Sequence, residues 1–243
     1  MSKAMLESKV LSLESQILAI SRELGKLKMQ LNIPMSATNP KTKNLYILYD
    51  FETGGLGKTS EIRVCQVGAI ALNDDLQRID TFNEFVNPLQ QMDTEAVKVH
   101  GINDAFVRKF PDWSVVGKVF SEWIDKHRGG NDHVPVYMLA HNGKRFDSRI
   151  LTYENARHCI TRPTNTYSVD TLAIFKKLVP DSPNNKLGTI YKHLFHTDIK
   201  DQHTALADCE AMERILGCAN SKIGCDNIFK EREGWDSVIK RCS

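Results

Sequence analysis

No apolar run in this 243-residue chain approaches the roughly 18 residues that a membrane-spanning helix needs, so none is expected. The N-terminus is charged and amphipathic throughout and lacks the continuous apolar stretch of a secretory signal. Six cysteines (Cys65, Cys159, Cys209, Cys218, Cys225 and Cys242) form no Cys-x-x-Cys pair and no His/Cys ligand spacing. They read as free thiols of a reducing, intracellular compartment, cytoplasmic or nuclear, rather than as a zinc site or a disulfide framework. An excess of one charge is missing too. With 32 basic and 30 acidic residues the net charge is +2, so any basic footprint for a polyanion has to be local. The length suits one large domain, or one domain with an appendage.

What is present begins with a period. Leu6, Val10, Leu13, Ile17, Ile20, Leu24, Leu27 and Leu31 alternate steps of four and three, the seam of a coiled coil over residues 1–31. In a parallel in-register pair Lys9 meets Glu14 and Glu23 meets Lys28, both attractive. A homo-oligomer through residues 6–31, a parallel dimer by preference, is therefore expected. The alternative is a single amphipathic helix docked on its own domain. Residues 32–44, with two prolines, small polar residues and two lysines, read as a linker.

From Leu45 the pattern becomes α/β. Strands are predicted at 45–52, 64–73 and 77–86, the latter two around a turn at Asn73-Asp74-Asp75. Helices follow near 93–99 and 112–127, then a strand at 135–140 and a helix from about 146. A further strand ends at Asp170, with helices at 171–179, 186–195 and 204–219. Three strands in succession, then strands alternating with helices, predict a mixed sheet flanked by helices over 45–220. Residues 221–243 are set apart as a C-terminal extension.

Three segments concentrate acids where apolar residues are expected. The strand Leu45-Tyr-Ile-Leu-Tyr-Asp50-Phe-Glu52 is apolar on both faces until Asp50. Asp50 and Glu52, two apart, project from one face. Two such carboxylates repel and are costly to desolvate, which a divalent cation between them would relieve; equally, a DxE pair can mark the exposed end of a strand. Asp147, in His141-Asn142-Gly143-Lys144-Arg145-Phe146-Asp147, shares a helical stripe with Ile150 and Leu151; it is a candidate ligand or an ordinary helix-start acid. Asp208 likewise lies on the stripe of Ala205, Met212 and Ile215. His203, five residues earlier, is about 140° away around a helix, so the two meet one ligand only if His203 sits at the helix entrance. Asp201 reads as a helix-capping acid. Oxygen donors without sulfur or a His cluster point to Mg²⁺ or Mn²⁺ rather than zinc.

These blocks resemble those of the DEDDh 3′→5′ exonucleases of the RNase H-like, DnaQ-like superfamily. The DxE block (Asp50 to Glu52), the Asn-x₃-Phe-Asp block (Asn142 to Asp147) and the His-x₄-Asp block (His203 to Asp208) occur in order. Each block alone is weak; the ordered set over about 45–220 is specific. His-Asn-Gly-Lys-Arg-Phe-Asp, Lys186-Leu-Gly-Thr-Ile-Tyr-Lys-His-Leu-Phe195 and the nearby His203-Thr-Ala are similar to the three-prime repair exonucleases and to PML exonuclease-like domains. Val99-His100-Gly101-Ile102 is a phrase of the wider family.

The resemblance implies an RNase H-like α/β fold. It implies that Asp50, Glu52, Asp147 and Asp208 hold two Mg²⁺ ions, with Mn²⁺ as substitute, and that His203 is the general base. Imidazole, as a side-chain type, changes charge nearest neutral pH. Thr53, Gly54, Gly55 and Asn142 would contact the terminal nucleotide, with Leu56 as an apolar wedge against its base; the alternative for Gly54 to Leu56 is an ordinary turn with a packing residue. The implied partner is a nucleic acid with a free 3′ end, DNA and single-stranded by preference. Lys41, Lys43, Lys144, Arg145, Arg149, Lys176, Lys177 and Lys186 flank the acids as candidate phosphate contacts, or simply as solvated faces. An RNA exonuclease is the alternative substrate reading. A non-catalytic adaptor on a nuclease fold is the other, and it predicts loss of a ligand or of the base; all five residues are present. The proline-rich insertion of some three-prime repair enzymes is absent, so their dimer geometry is not carried over.

Overall fold

The computed structural model describes residues 43–224 and 228–242. The coiled-coil seam and residues 32–42 of the linker lie outside the described residues. Among those described, no helix is long and apolar enough to cross a membrane.

Among the described residues six strands form one mixed sheet: β1 (Leu45–Thr53), β2 (Val64–Leu72), β3 (Arg78–Phe85), β4 (Val136–Ala140), β5 (Thr166–Asp170) and β6 (Glu233–Gly234), in the order β3-β2-β1-β4-β5-β6. The first three pair antiparallel, β4 and β5 run parallel to β1, and β6 returns antiparallel to β5. The turn expected at 73–75 forms because Asn73 Oδ1 accepts the backbone N–H groups of Asp75 (3.0 Å) and Gln77 (2.9 Å), an Asx turn.

Helices follow as α1 (Thr94–His100), α2 (Asp104–Val107), α3 (Trp113–His127), α4 (Asp147–Arg157), α5 (Thr171–Leu178), α6 (Leu187–Phe195), α7 (Ala205–Ile223) and α8 (Trp235–Cys242). Only α2 among those up to α7 has no counterpart in the sequence reading; four residues carry too little periodicity to register.

Strand alternation divides the core. Leu45, Ile47, Tyr49 and Phe51 of β1 join a cluster with Trp113, Val116 and Phe120 of α3 and Ile150 of α4. Tyr46 and Leu48 face the other way, with Phe175 of α5, Ile190 of α6 and Cys209, Met212 and Ile215 of α7. The row that begins Tyr46-x-Leu48 continues as Asp50 and Glu52. The acids therefore lie on the α7 face, where the cover of α7 ends at its first turn.

The last segment belongs to this domain, although the sequence boundary at 220 leaves it out. Helix α7 runs to Ile223. Tyr167 of β5 pairs with Gly234, and Trp235 and Val238 are buried in the α3/α4 cluster. Isolated apolar residues in a short polar stretch reveal their burial only once β5 offers them an edge.

Candidate active site

The functional side chains gather at the carboxyl ends of the parallel strands, where open α/β sheets present their loops. Asp50 and Glu52 come from β1, Asp147 from the first residue of α4 and Asp208 from the first turn of α7. With His203 they line a single cavity of about 370 Å³, which Leu56, His141, Asn142, Arg145 and Phe146 also border.

Single carboxylate oxygens of Asp50, Glu52 and Asp208 lie within 4.8 Å of one another. Asp147 stands outside that trio, yet its charge raises the pKa of both Asp50 and Glu52. Its place is set by buried hydroxyls: Ser148 Oγ lies 3.0 Å from Tyr49 Oη and 3.1 Å from Ser168 Oγ, tying α4 to β1 and β5. Asp147 is not acting as a cap, since the N-cap of α4 is Phe146 and no side chain caps that helix.

Burial dominates the titration of all four acids. It lifts Glu52 to about 8, reinforced by Asp208 and Asp147. It lifts Asp147 to about 7 against the backbone amides of Asp147 itself and Phe51, and Asp208 to about 6 against the charge and backbone amide of His203. Asp50 is raised by burial and then by Asp147, Asp208 and Glu52. Four mutually repelling carboxyls are what a divalent cation compensates. Asp208 adds a direct sign: its Oδ1 is buried and has no hydrogen-bond partner among the described residues. Such an atom costs free energy unless something binds it. The donor set therefore fits an oxygen-ligated divalent cation.

His203 lies before α7, exposed, with φ of 70°. Asp201 shares the left-handed region at φ 54°. Two such non-glycine residues in three positions bend the chain sharply, and this frees His203 from the helix's angular register. Asp201 is not a side-chain cap, contrary to the sequence reading. The N-cap is Thr204, and its hydroxyl donates to the Asp201 carbonyl at 3.0 Å.

The predicted nucleotide contacts divide. Thr53, Gly54 and Gly55 are buried; Thr53 Oγ1 donates to the Gly55 carbonyl (3.1 Å), and Asp93 N–H donates to the Gly54 carbonyl (2.7 Å). None of the three is among the residues that border the cavity. Leu56 is 85% exposed beside the acids, which excludes the packing role. Asn142 borders the cavity at φ 61°, its N–H held by Asp170 Oδ1 at 2.9 Å.

Two histidines were not singled out from sequence. His100 Nδ1 accepts the Ile102 N–H (3.0 Å), so Nε2 carries the proton and donates to the Thr53 carbonyl (3.2 Å), fastening the end of β1. His141 Nε2 donates to the Asn185 carbonyl at 2.8 Å, and its ring stacks on Phe175. Both stand inside the quoted phrases, which were the available signal.

A six-stranded mixed sheet with carboxylates converging from β1, α4 and α7 defines the RNase H-like nuclease class. A profile of the exonuclease family RNase_T matches residues 47–216. The chain belongs to that exonuclease family. It is 29% identical over 184 residues to the PolC-type DNA polymerase III of Oceanobacillus iheyensis, covering 74% of this chain and 12% of that protein. It is 23% identical over 201 residues to the DNA polymerase III subunit epsilon of Buchnera aphidicola, 80% of this chain and 78% of that one. Among solved structures, E. coli exonuclease I in complex with a dT13 oligonucleotide superposes with a TM-score of 0.61 at 19% identity, over 77% of this chain and 43% of that one. A zinc-bound form of that enzyme with single-stranded DNA gives 0.59 at 18% identity, over 74% and 41%. At such identities the superpositions speak for the fold alone. The chain spans 10% to 12% of the PolC-type relatives and less than half of exonuclease I.

Proposed function

We propose that this chain hydrolyses the terminal phosphodiester bond at 3′ ends of DNA, single-stranded by preference, and releases nucleoside 5′-monophosphates. The observation that carries this reading is the meeting of Asp50, Glu52, Asp147, Asp208 and His203 around one cavity, with a partnerless carboxylate oxygen on Asp208. DNA is favoured over RNA because relatives of this chain are DNA polymerase III proteins and its fold is shared with an enzyme solved on single-stranded DNA.

In this reading Asp50, Glu52, Asp147 and Asp208 hold two Mg²⁺ ions, or Mn²⁺ in their place. When bound, the ions neutralise charge on the scissile phosphate and acidify the attacking water. His203 takes the proton from that water at its imidazole. Its position on a loop lets the ring approach the water without displacing Asp208. Leu56 lies against the terminal base, the Thr53–Gly55 backbone flanks the sugar, and Asn142 contacts the terminal nucleotide across the cavity. Lys144, Arg145 and Lys186 meet the following phosphates, which makes binding salt-sensitive. Residues 6–31 pair two chains in parallel, and residues 32–44 link the pair to the catalytic domain. The free thiols suit a cytoplasmic or nuclear setting.

The test incubates 5′-labelled single-stranded DNA and matched RNA with the protein and Mg²⁺, Mn²⁺ or Zn²⁺, with EDTA as control. A ladder shortening from the 3′ end of DNA is expected. His203→Ala should lower its rate by roughly 10²–10⁴-fold, the usual worth of a general base, while cation affinity stays unchanged. Asp208→Ala should abolish both. A folded protein that cuts neither polymer overturns the reading, and preferential cutting of RNA overturns the choice of sugar. Light scattering on a chain lacking residues 1–40 decides the dimer: an unchanged mass per particle, after allowing for the deletion, sinks it.

A further inference from the structure

Gln66 is a polar side chain buried in β2, only 3% exposed, and none of the acidic motifs uses it. On the ladder it stands directly opposite Glu52. Strand parity therefore turns its side chain to the face covered by α7, beside the Glu52 carboxylate. Its Nε2 donates to Asn83 Oδ1 on β3 at 3.0 Å. Its Oε1 accepts the backbone N–H of Ala205, the first residue of α7, at 3.3 Å. The partner settles which end is oxygen, because a backbone N–H can only donate.

That contact stands in for a cap the helix lacks. The first N–H groups of any α-helix have no partner within it and are ordinarily met by the N-cap side chain. Here Thr204 makes no such bond; its hydroxyl donates to the Asp201 carbonyl. Ala205 itself is fully buried, so water does not substitute. Two residues along the same strand, Gly68 stands opposite Asp50, and its carbonyl accepts from Cys209 Sγ at 3.3 Å. The two β2 residues facing the two β1 acids are thus the two that seat the first turn of α7.

We propose that Gln66 is a positioning residue of the active site: its amide oxygen caps α7 from the neighbouring strand and so sets Asp208 and His203 against Asp50 and Glu52. The inference rests on the proposed nuclease reading. Asp208 is the fourth residue of α7 and His203 lies two before it, so both move with the helix start. A neutral amide meets both requirements of the place. It accepts at one end and donates at the other, and it adds no charge beside Glu52.

Three variants separate positioning from filling. Gln66→Met keeps length and volume but has no acceptor oxygen. Gln66→Glu keeps the oxygen that faces Ala205. Gln66→Ala removes both. Calorimetric titration with Mn²⁺ reads the carboxylate constellation without turnover, and kcat and KM on 5′-labelled single-stranded DNA read the chemistry. Gln66→Met and Gln66→Ala are expected to weaken Mn²⁺ affinity or kcat by about 10–100-fold, the usual loss for a residue that orients ligands, with KM little changed. Gln66→Glu gives up the donor to Asn83 and places a carboxyl beside Glu52, so it is expected to lose part of both, though less than Gln66→Met. If Gln66→Met matches the wild type, or fails no worse than Gln66→Glu, the capping role is overturned and packing suffices. Should Gln66→Ala fail to fold, the Met and Glu pair still decides. Wild-type protein that binds Mn²⁺ but cuts nothing refutes the nuclease reading, and the titrations then judge Gln66 by themselves.

Discussion

Gly68 of β2 and Ala205 of α7 touch backbone to backbone: a Cβ placed on Gly68 would fall 2.4 Å from the carbonyl carbon of Ala205 and 2.5 Å from the nitrogen of Leu206. Neither atom belongs to a side chain that can turn aside. Gly68→Ala must lift the start of α7 from the sheet, carrying Asp208 with it. Overpacking of this kind costs about 1–3 kcal/mol. Urea denaturation should show that loss, together with weaker divalent-cation affinity. Unchanged values for both would mean that the helix start is free to shift.

The acid cluster makes stability depend on pH in a definite direction. Glu52, Asp147 and Asp208 are raised to about 8, 7 and 6 in the fold, whereas unfolded carboxylates titrate near ~4. A raised folded value means that the native state holds protons the unfolded chain has lost. Their stabilising contribution is complete below about pH 4 and is lost as pH rises through the folded values. In EDTA the melting temperature should therefore fall between roughly pH 5.5 and pH 8.5. A divalent cation binds the ionised form, so Mg²⁺ should raise the melting temperature more at the higher pH. A cation effect that is equal at both ends would separate these acids from cation binding.

Leu56 offers a clean division between stability and substrate contact. At 85% exposure its truncation should change folding stability by no more than about 0.5 kcal/mol. If it packs on the terminal base, Leu56→Ala should raise KM or lower kcat/KM by an amount worth roughly 1–3 kcal/mol, as base stacking usually is. Steady-state kinetics on single-stranded DNA, with a parallel melt, supplies both numbers. Wild-type kinetics in the variant would remove Leu56 from the site.

Trp235 tests whether the tail is part of the domain. It is 2% exposed, and its indole N–H donates to Thr152 Oγ1 at 3.2 Å. Trp235→Ala should cost about 3–5 kcal/mol, as large aromatic truncations in cores do. Chemical denaturation reads the loss directly. A cost below about 1 kcal/mol would restore the boundary at residue 220 as a real domain edge.

Much of this molecule is written in local pattern. The short, largely apolar runs at 45–52 and 64–73, and the period of 3.6 in 112–127 and 204–219, depend only on neighbours along the chain. These elements therefore stand in the sequence nearly where the structure has them. Asp50, Glu52, Asp147 and Asp208 stood out as candidates for a related reason, since each places a charge on a stripe otherwise apolar; only the ordered set, through its resemblance to a family, singled them out. That His203 stands at the helix entrance followed as well, from the angle five residues subtend. What the chain could not disclose alone are partnerships between distant segments. Gln66 looks like any polar strand residue until β2 lies between Glu52 and the start of α7. His100 gains meaning only when its ring reaches the Thr53 carbonyl. Asp201 reads as a cap, yet the N-cap is Thr204, its hydroxyl turns back to the Asp201 carbonyl, and the first N–H of α7 goes to another strand. Trp235 has no visible partner until β6 joins β5. Periodicity reports which side of an element is apolar. Which atom across the fold completes a hydrogen bond or fills a gap depends on the packing of whole elements, and only the tertiary structure decides that.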